Sequence, residues 1–339
     1  MKLRLAAWLT MLIMLFGGCS AIREAERNLF LMDTTISLRV FGDNADAALT
    51  EIAERLSVFD RDFSHVRDDG ELYRINNREN QTVDITDEMS DILTTAKKYA
   101  EETRGAFDPT IAPAVKLWGI GTENPRVPEE AELRALLPYI DYRKIDISEK
   151  KLTLPRGFSI NLGAIAKGYA SDDARRVLDK HGIGSAVLSL GGNVYARGAR
   201  PDGTPWRVGV RDPEGTENDI LGIIEAEDKY IISSGDYERY FERSGARYHH
   251  ILDPKTAAPA DNSLRAVVIV CDEGARGDAY STALFVMGYD AALEFWREKR
   301  DFEAVFVLKD NRVVVTEGIA ESFSQRNESG RYTYETAKR

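Results

Sequence analysis

The sequence predicts an α+β fold built on mixed or antiparallel sheets. Segments with helical periodicity and segments with strand character are mixed along the chain, without the strand–helix–strand alternation of a parallel α/β sheet. The 339 residues are 43% hydrophobic and 30% charged, which excludes a polytopic membrane protein and a largely disordered chain. No internal repeat or low-complexity linker is present, and the length suits two domains or one large one.

Helices are predicted from capping residues and apolar periodicity. Asp43-Asn44 can cap the first helix, and Gly182 follows the fourth. The predicted helices cover residues 45–58, 87–102, 129–137, 164–181, 275–287 and 291–299.

Strands are predicted from short apolar or alternating runs. The last two runs flank Lys309-Asp310-Asn311 and are expected to form a hairpin, whereas the polar residues after Ser322 are expected to pack loosely. The predicted strands cover residues 30–41, 186–190, 206–211, 220–225, 230–233, 265–271, 304–308 and 312–316.

The net charge limits the classes of ligand. The chain carries 45 basic and 56 acidic residues, a net charge of −11, and no region has the basic excess of a nucleic-acid-binding protein. An acidic protein that binds an anionic substrate needs a local source of positive charge, such as a metal ion, a helix N-terminus or a well-placed lysine.

The N-terminus has the pattern of a processing signal. Lys2 and Arg4 precede an apolar run, residues 5–16, which is too short to span a bilayer core of about 30 Å but fits a signal peptide. Phe16-Gly17-Gly18-Cys19 resembles a bacterial lipobox, which would make a lipidated Cys19 the first residue of the mature chain. The alternative is a plain secretory signal with an incidental cysteine. Removal of residues 1–18 takes away two basic and no acidic residues, so the net charge becomes −13.

The chain has two cysteines, Cys19 and Cys271. If Cys19 carries lipid, no disulfide within the chain can form. Cys271 ends the apolar run 266–270, and we expect it to be a buried strand residue rather than a nucleophile.

Residues 163–168, Gly-Ala-Ile-Ala-Lys-Gly, form a glycine-rich turn at the start of a predicted helix. They are not a P-loop, because Lys167 precedes the second glycine and no Ser or Thr follows directly. Free backbone N–H groups, the helix dipole and Lys167 would still favour a bound phosphate. The alternative is a tight helix N-terminus with a solvated lysine.

Asp278 and Thr282 lie four residues apart on a predicted helix and therefore share a face. A carboxylate and a hydroxyl there offer hard oxygen ligands to Mg²⁺, and Ser281 could add a third. The alternative is a surface aspartate with a threonine that bonds back to its own helix.

Two of the four histidines, His249 and His250, are adjacent, and one of them could act as a base near neutral pH. The alternative for each is a structural role. Phe107-Asp108-Pro109-Thr110 is expected to be a turn that exposes Asp108.

Taken together and in this order, these motifs resemble the ApbE family of flavin transferases. The resemblance covers about residues 29–315, and the number of motifs in matching order makes it specific. The matching segments are Met32-Asp33-Thr34, Phe63-Ser64 and residues 71–76, 105–110, 161–168, 189–193, 206–213, 233–241, 250–254 and 278–288.

The resemblance implies a two-lobed α+β fold with the active site between the lobes. It implies FAD as donor substrate, Mg²⁺ as cofactor, and a reaction that cleaves the FAD pyrophosphate and releases AMP. FMN is then attached through a phosphoester to a Thr of a target flavoprotein. Some relatives hydrolyse FAD to FMN and AMP instead.

The resemblance also implies roles for individual residues. The implied metal ligands are the backbone carbonyl of Ala164, Asp278 and Thr282, with Ser281 as a further candidate. His250 matches the base for the acceptor hydroxyl. The implied flavin contacts are Met32, Ala106, Phe107, Asp108, Asn161, Lys167, and Ile251 or Leu252.

Two positions depart from the family pattern. Asn161 stands where Asp is common, which could alter a hydrogen bond to the adenine or flavin end, and Asp33 stands where Gly is common. Neither departure removes a metal ligand.

Three functions stay open: an FMN transferase, an FAD pyrophosphatase, and a non-catalytic flavin-binding lipoprotein. Asp278, Thr282 and His250 argue against the third, because storage needs no metal-linked base. The acceptor motif of the family ends in Thr, but residues 202–205, Asp-Gly-Thr-Pro, are too short to match it. We therefore expect the acceptor to be a separate protein.

The expected organisation is a lipoprotein signal peptide (1–18), a tether (19–28), a flavin transferase domain (29–322) and a polar C-terminal tail (323–339). The expected location is the extracytoplasmic, periplasmic side of a bacterial membrane, with the lipid on Cys19 as anchor. The expected partners are FAD, the acceptor flavoprotein and the membrane, and no nucleic acid.

Overall fold

The computed structural model describes residues 23–216 and 218–339. The signal segment and the lipidation of Cys19 lie outside the described residues. Within them, no helix is both long and apolar enough to cross a membrane.

Helices and strands follow one another irregularly along the chain. The helices are α1 (Ala45–Asp62), α2 (Glu71–Asn76), α3 (Asp87–Glu102), α4 (Ala112–Trp118), α5 (Glu130–Leu136), α6 (Ala166–Lys180), α7 (Gly274–Met287) and α8 (Tyr289–Lys299). The strands are β1 (Glu24–Leu31), β2 (Thr34–Phe41), β3 (Thr82–Asp84), β4 (Asp146–Ser148), β5 (Lys151–Thr153), β6 (Ser185–Leu190), β7 (Asn193–Arg197), β8 (Trp206–Arg211), β9 (Ile220–Ala226), β10 (Lys229–Gly235), β11 (Tyr240–Arg243), β12 (Ala246–His249), β13 (Leu252–Asp253), β14 (Ala258–Pro259), β15 (Leu264–Cys271), β16 (Glu303–Leu308), β17 (Arg312–Thr316), β18 (Phe323–Gln325) and β19 (Thr333–Ala337).

A nine-stranded sheet with the order β1-β2-β6-β7-β10-β15-β16-β17-β19 forms the centre of the molecule. Its neighbouring strands are antiparallel except for β17 and β19, which are parallel. The prediction of an α+β fold with mixed and antiparallel sheets is confirmed.

The central sheet carries an apolar core on each face. Successive residues of β10 show the division: Ile232 belongs to the core under the helices, and Ile231 to the core under the small sheet β18-β9-β8. A third, smaller cluster surrounds Trp118 and Leu252, where α4 and α5 meet the segment that contains β11 to β14. Since this cluster is separate from the two sheet cores, the chain has a main body and a smaller one.

Helix α7 lies directly on β10. A Cβ at Gly277 would be 2.8 Å from Cδ1 of Ile232, so a glycine is what allows this close approach. One turn further along, the Ser281 hydroxyl lies 2.8 Å from that of Ser234 on β10. The helix is buried over most of its length, and the sheet therefore fixes its position firmly.

The predicted strand 30–41 is in fact a hairpin of β1 and β2. Met32 and Asp33 both have positive φ, 54° and 56°, which gives the backbone twist of a two-residue hairpin turn. The tether prediction is wrong for residues 24–28, because β1 begins at Glu24 and pairs with β2 along its whole length.

The prediction of a loose tail after Ser322 is also wrong. Strand β18 pairs with β9, and β19 pairs in parallel with β17 at the edge of the central sheet. Tyr332 is buried and donates a hydrogen bond from its hydroxyl to Asp212. The tail is polar because its strands bury few side chains, yet its backbone completes two sheets.

Helix α3 begins and ends where the sequence predicts. Thr86 caps it by accepting a hydrogen bond from the Met89 amide, and Asp87 and Glu88 in the first turn suit the helix dipole. Cys271 is a buried residue at the end of β15, as predicted, and burial raises the pKa of its thiol to about 12.

Candidate active site

Helices α6 and α7 touch through two glycines. A Cβ at Gly168 would lie 2.2 Å from the Gly274 carbonyl oxygen, and a Cβ at Gly274 would lie 2.4 Å from the Gly168 carbonyl oxygen. No other residue fits at either position without moving the helices apart. The contact brings the first turn of α6 beside Asp278 on α7.

Asp278 is buried and forms its main hydrogen bond across this contact. Its Oδ2 accepts the Gly168 amide at 2.9 Å, and its Oδ1 lies 3.9 Å from Nζ of Lys167. Lys167 also lies 3.5 Å from the Gly163 carbonyl oxygen. The predicted lysine and the predicted carboxylate therefore meet at the N-terminus of α6.

The Ala164 carbonyl precedes the regular part of α6. In a continuous helix it would accept the Gly168 amide, but that amide donates to Asp278 instead. Ile165, with φ −148° and ψ −24°, marks the break. The predicted backbone ligand is thus a carbonyl without its helical partner.

The two predicted hydroxyl ligands on α7 differ. Ser281 is fully buried, donates to the Asp278 carbonyl oxygen at 2.9 Å and lies 2.8 Å from Ser234. Thr282 is half-buried and its hydroxyl oxygen is 3.4 Å from Ser234. Ser281 is occupied in packing α7 on the sheet, which leaves Thr282 as the freer oxygen.

The adjacent histidines also differ. His249 is buried, with Nε2 3.0 Å from the Ala260 carbonyl oxygen and Nδ1 accepting the Ile251 amide at 3.3 Å. Both of its ring nitrogens are therefore occupied in the fold, with the proton on Nε2.

His250 is half-buried, and its Nδ1 lies 3.3 Å from the Arg239 carbonyl oxygen. A carbonyl can only accept, so Nδ1 carries the proton and Nε2 is left with a free lone pair. Surrounding protein, and then the positive charge of Arg239, lower the pKa of His250 to about 3. The positive charge of Lys167 contributes to this lowering of the pKa in the same direction.

Glu238, in the turn after β10, is a residue that sequence reasoning missed. Burial raises its pKa to about 7, and it is electrostatically coupled to Lys167, Arg239 and Asp278. A Cβ at Gly192 would lie 3.8 Å from its Oε1, so the glycine turn after β6 borders the same space. The sequence showed a charged, aromatic stretch here but no signal that singled out Glu238.

The β1–β2 turn is tied to the same region. Arg239 donates to the Asp33 carbonyl oxygen at 3.1 Å, and the Met32 amide donates to Asp60 at 2.6 Å. Asp33 has the left-handed backbone that glycine adopts most readily, which gives a physical reason for glycine at this position.

Asn161 shapes the turn that leads into α6. Its Oδ1 accepts the Gly163 amide at 2.8 Å, and its Nδ2 lies 3.4 Å from Nδ1 of His65. The backbone N–H of Asn161 donates to the Pro109 carbonyl oxygen at 2.8 Å, which joins this turn to the segment after Asp108.

The expectation that the 107–110 turn exposes Asp108 is wrong. Asp108 is only 6% exposed, and its carboxylate accepts the Thr110 amide and hydroxyl and the Tyr142 amide, at 2.8, 2.6 and 3.0 Å. It caps the 3-10 turn Pro109–Ile111 and holds a distant loop. The side chains of four other predicted flavin contacts are buried in the apolar cores: Ala106, Phe107, Ile251 and Leu252.

A hard cation in this region would need ligands other than a cluster of acidic, histidine or cysteine side chains. Among the described residues, no group of three or more His, Cys, Asp or Glu side chains could hold a metal ion. A cation would have to combine one carboxylate with hydroxyl and carbonyl oxygens, as Mg²⁺ often does. Asp278, Thr282 and Ala164 offer that set.

The site therefore combines a helix N-terminus with its lysine, a buried carboxylate that keeps a free oxygen, and a neutral histidine with a free ring nitrogen. Such a combination suits an enzyme that binds a phosphorylated substrate and removes a proton beside it.

The chain belongs to the ApbE family. The family profile matches residues 32–306. The FAD:protein FMN transferase of Treponema pallidum is 33% identical over 326 residues, which is 90% of each chain. The FAD:protein FMN transferase of Escherichia coli K12 is 29% identical over 267 residues, 76% of this chain and 75% of the relative.

Solved structures of ApbE proteins have a similar fold. The ApbE protein of Thermotoga maritima superimposes with a TM-score of 0.79 at 31% identity, over 91% of this chain and 98% of that one. The flavin transferase ApbE of Vibrio cholerae superimposes with a TM-score of 0.77 at 25% identity, over 90% and 97%.

Proposed function

We propose that the chain is a Mg²⁺-dependent FAD:protein FMN transferase. Two relatives that bear this enzyme's name align with three quarters or more of the chain. The observation that carries the proposal is the meeting of Lys167 and Asp278 at the N-terminus of α6, where the Ala164 carbonyl lacks its helical partner. His250 would supply the base.

The reaction exchanges the phosphoanhydride bond of FAD for a phosphoester bond to the acceptor. The hydroxyl oxygen of an acceptor Thr forms a bond to the FMN phosphorus, and the bond from that phosphorus to the bridging oxygen breaks. AMP leaves with the bridging oxygen. The hydroxyl proton passes to Nε2 of His250, which is free because Nδ1 donates to Arg239.

The substrate's negative charge must be balanced. The chain has a net charge of −11, Lys167 supplies one positive charge, and a helix N-terminus supplies roughly half of one. Asp278, Thr282 and the Ala164 carbonyl would hold Mg²⁺, with Ser281 as a further candidate. A bound Mg²⁺ supplies the remaining neutralisation of the pyrophosphate.

The expected FAD contacts fall into two groups, those that bind the phosphates and those that shape the rest of the pocket. Lys167 and the amides at the start of α6 would bind phosphate oxygens, and Asn161 and Met32 lie in turns that border the region. The buried side chains of Ala106, Phe107, Ile251 and Leu252 would shape the pocket from behind.

The acceptor is a separate flavoprotein. The threonine of residues 202–205, Thr204, donates both its amide and its hydroxyl to Asp202, at 3.0 and 2.5 Å, within a tight turn. This hydroxyl is therefore engaged, which supports an acceptor in another chain.

The test is to mix purified protein, FAD and Mg²⁺ with and without a candidate acceptor. Flavin fluorescence on the acceptor band in a denaturing gel is the expected result. Free FMN and AMP without labelled acceptor would instead indicate an FAD pyrophosphatase. FAD that binds but stays unchanged would indicate a non-catalytic flavin-binding protein.

We also propose that Cys19 carries a lipid that anchors the protein to the extracytoplasmic, periplasmic side of a bacterial membrane. The lipobox-like Phe16 to Cys19 supports this, because β1 of the folded domain begins soon after it, at Glu24. Cys19→Ala should release the protein into the soluble fraction with full transfer activity. Retention of Cys19→Ala in washed membranes would contradict the anchor.

A further inference from the structure

Helix α7 is capped from outside its own segment. Its N-cap residue, Glu273, makes no side-chain capping bond. The first two amides of α7 instead donate to Asp172 on α6: Gly274 to Oδ1 and Ala275 to Oδ2, both at 2.8 Å. One carboxylate from α6 thus satisfies two of the free amides of α7 and meets the positive end of its dipole.

The two helices exchange hydrogen bonds in a reciprocal way. Asp172 on α6 holds the start of α7, and one turn earlier on α6 the Gly168 amide donates to Asp278 on α7. On each helix the two bonding positions are about four residues apart and so share a face. Gly168 and Gly274 touch between them, and their missing side chains let the two bonds form at once.

This pairing fixes how far α7 can slide along α6. A helix rises about 1.5 Å per residue, so a shift of one residue would carry Asp278 away from both the Gly168 amide and Lys167. The Asp278 carboxylate makes only one hydrogen bond across the contact, at Oδ2. The two hydrogen bonds to Asp172 therefore contribute more than the single bond to Asp278 to fixing the position of α7 along α6.

We propose that Asp172 is a positioning residue that sets the cation site by fixing the register of α7 against α6. The proposal rests on the proposed function, since it assigns Asp278, Thr282 and Ala164 to Mg²⁺. Asp172 does not touch the substrate; it acts through the placement of Asp278. Groups that orient metal ligands in this way commonly change metal affinity about 10–100-fold when removed.

The neighbouring Asp173 provides a matched control. It is the more buried of the two and bonds Arg55 at 2.7 and 2.9 Å and Arg176 at 2.9 Å, on the side facing α1. Loss of Asp173 should destabilise the fold without changing the register of α7. A comparison of Asp172 variants with Asp173 variants therefore distinguishes a carboxylate that positions α7 from one that only stabilises the fold.

The experiment compares wild type with Asp172→Ala, Asp172→Asn and Asp173→Asn in the purified full chain. Mn²⁺ binding is measured by the electron paramagnetic resonance signal of free Mn²⁺, and thermal unfolding is followed in parallel. The half-saturating Mg²⁺ concentration and the saturated rate of FMN transfer are measured on the same preparations.

We expect Asp172→Ala to weaken Mn²⁺ binding and raise the half-saturating Mg²⁺ about tenfold or more. Its rate at saturating Mg²⁺ should fall much less. Asp172→Asn keeps one accepting oxygen, so it should recover part of the affinity, and it serves in place of the alanine variant if that one does not fold. Asp173→Asn should lower the unfolding temperature with wild-type metal dependence.

Metal affinities of the Asp172 variants within twofold of wild type would overturn the proposal, as would an equal loss in Asp173→Asn. A wild-type chain that binds no Mn²⁺ would also overturn it. A wild-type chain that transfers no FMN, while its Mn²⁺ affinity still depends on Asp172, would contradict the proposed function but uphold the positioning role.

Discussion

Asp108 and Asp278 are both buried, at 6% and 3% exposure, yet the fold uses them differently. Asp108 accepts three hydrogen bonds from Thr110 and Tyr142 in the loops around it. Asp278 accepts one amide on Oδ2, and its Oδ1 faces Lys167 at 3.9 Å, beyond hydrogen-bond distance. Unused acceptor capacity, rather than burial, distinguishes the carboxylate available to a ligand from the one that holds a loop.

The adjacent histidines repeat this difference. His249 uses both ring nitrogens within the fold, whereas among the described residues His250 uses Nδ1 alone and keeps Nε2 free. In both pairs, the residue that we propose to take part in the reaction is the one with bonding capacity that the described part of the fold has not used.

The largest expected effect is that of Asp278→Ala. Transfer and any hydrolysis should fall to near the detection limit, because the only carboxylate of the proposed cation site is removed. The chain should still fold, since Oδ2 makes a single hydrogen bond. Circular dichroism and in-gel flavin fluorescence on one preparation measure both properties. Activity near that of wild type would contradict the proposal that Asp278, unlike Asp108, is available to a ligand.

The next effect is that of His250→Ala. A general base contributes about 10²–10⁴-fold to rate, so transfer should fall by that factor while FAD still binds. His249→Ala is the control, and it should lose stability rather than chemistry. Equal losses of rate in the two variants, at equal FAD affinity, would show that the free nitrogen does not identify the base.

Asp108→Ala should act mainly on stability. It leaves the Thr110 and Tyr142 amides without their acceptor, which costs about 1–3 kcal/mol of unfolding free energy per unsatisfied group. Urea unfolding measures this loss, and the folded fraction should keep its rate. A variant with wild-type stability and no activity would place Asp108 in the reaction instead.

The smallest expected effect is on the pH profile. His250, with a pKa lowered to about 3, stays deprotonated as the pH falls from 8 to 5.5, so it should cause no loss of rate there. Glu238 has a pKa raised to about 7 and does titrate in this range. Glu238→Gln should therefore remove any step near pH 7, and a step near pH 6.5 that persists in this variant would assign an ordinary pKa to His250.

Local signals in the sequence predict much of the fold. The bounds of α3, β8 and β17 match their predicted ranges. The hairpin at Met32 and Asp33 is missed because neither residue is a glycine or asparagine, which usually signal a turn with positive φ. The pairing of β19 with β17 is missed because strand pairing is not local.

In the candidate site, too, local features are predicted from the sequence and features that depend on distant contacts are not. Asp278 and Thr282 follow from helical spacing, and Lys167 from the glycine-rich turn. The burial of Asp108 depends on Tyr142, far along the chain, and the role of Asp172 depends on the contact between α6 and α7. Sequence spacing shows which residues share an element, but not which of their atoms the rest of the fold has already used.

The most direct test of the account is transfer activity against Mg²⁺ concentration for wild type, Asp278→Asn and Thr282→Ala. Asp278→Asn keeps the shape and one oxygen but loses the charge. It should need far more Mg²⁺ than wild type and recover part of its activity at high concentration, whereas Thr282→Ala should shift the curve less. A curve for Asp278→Asn that overlays that of wild type would contradict the account and place the metal elsewhere.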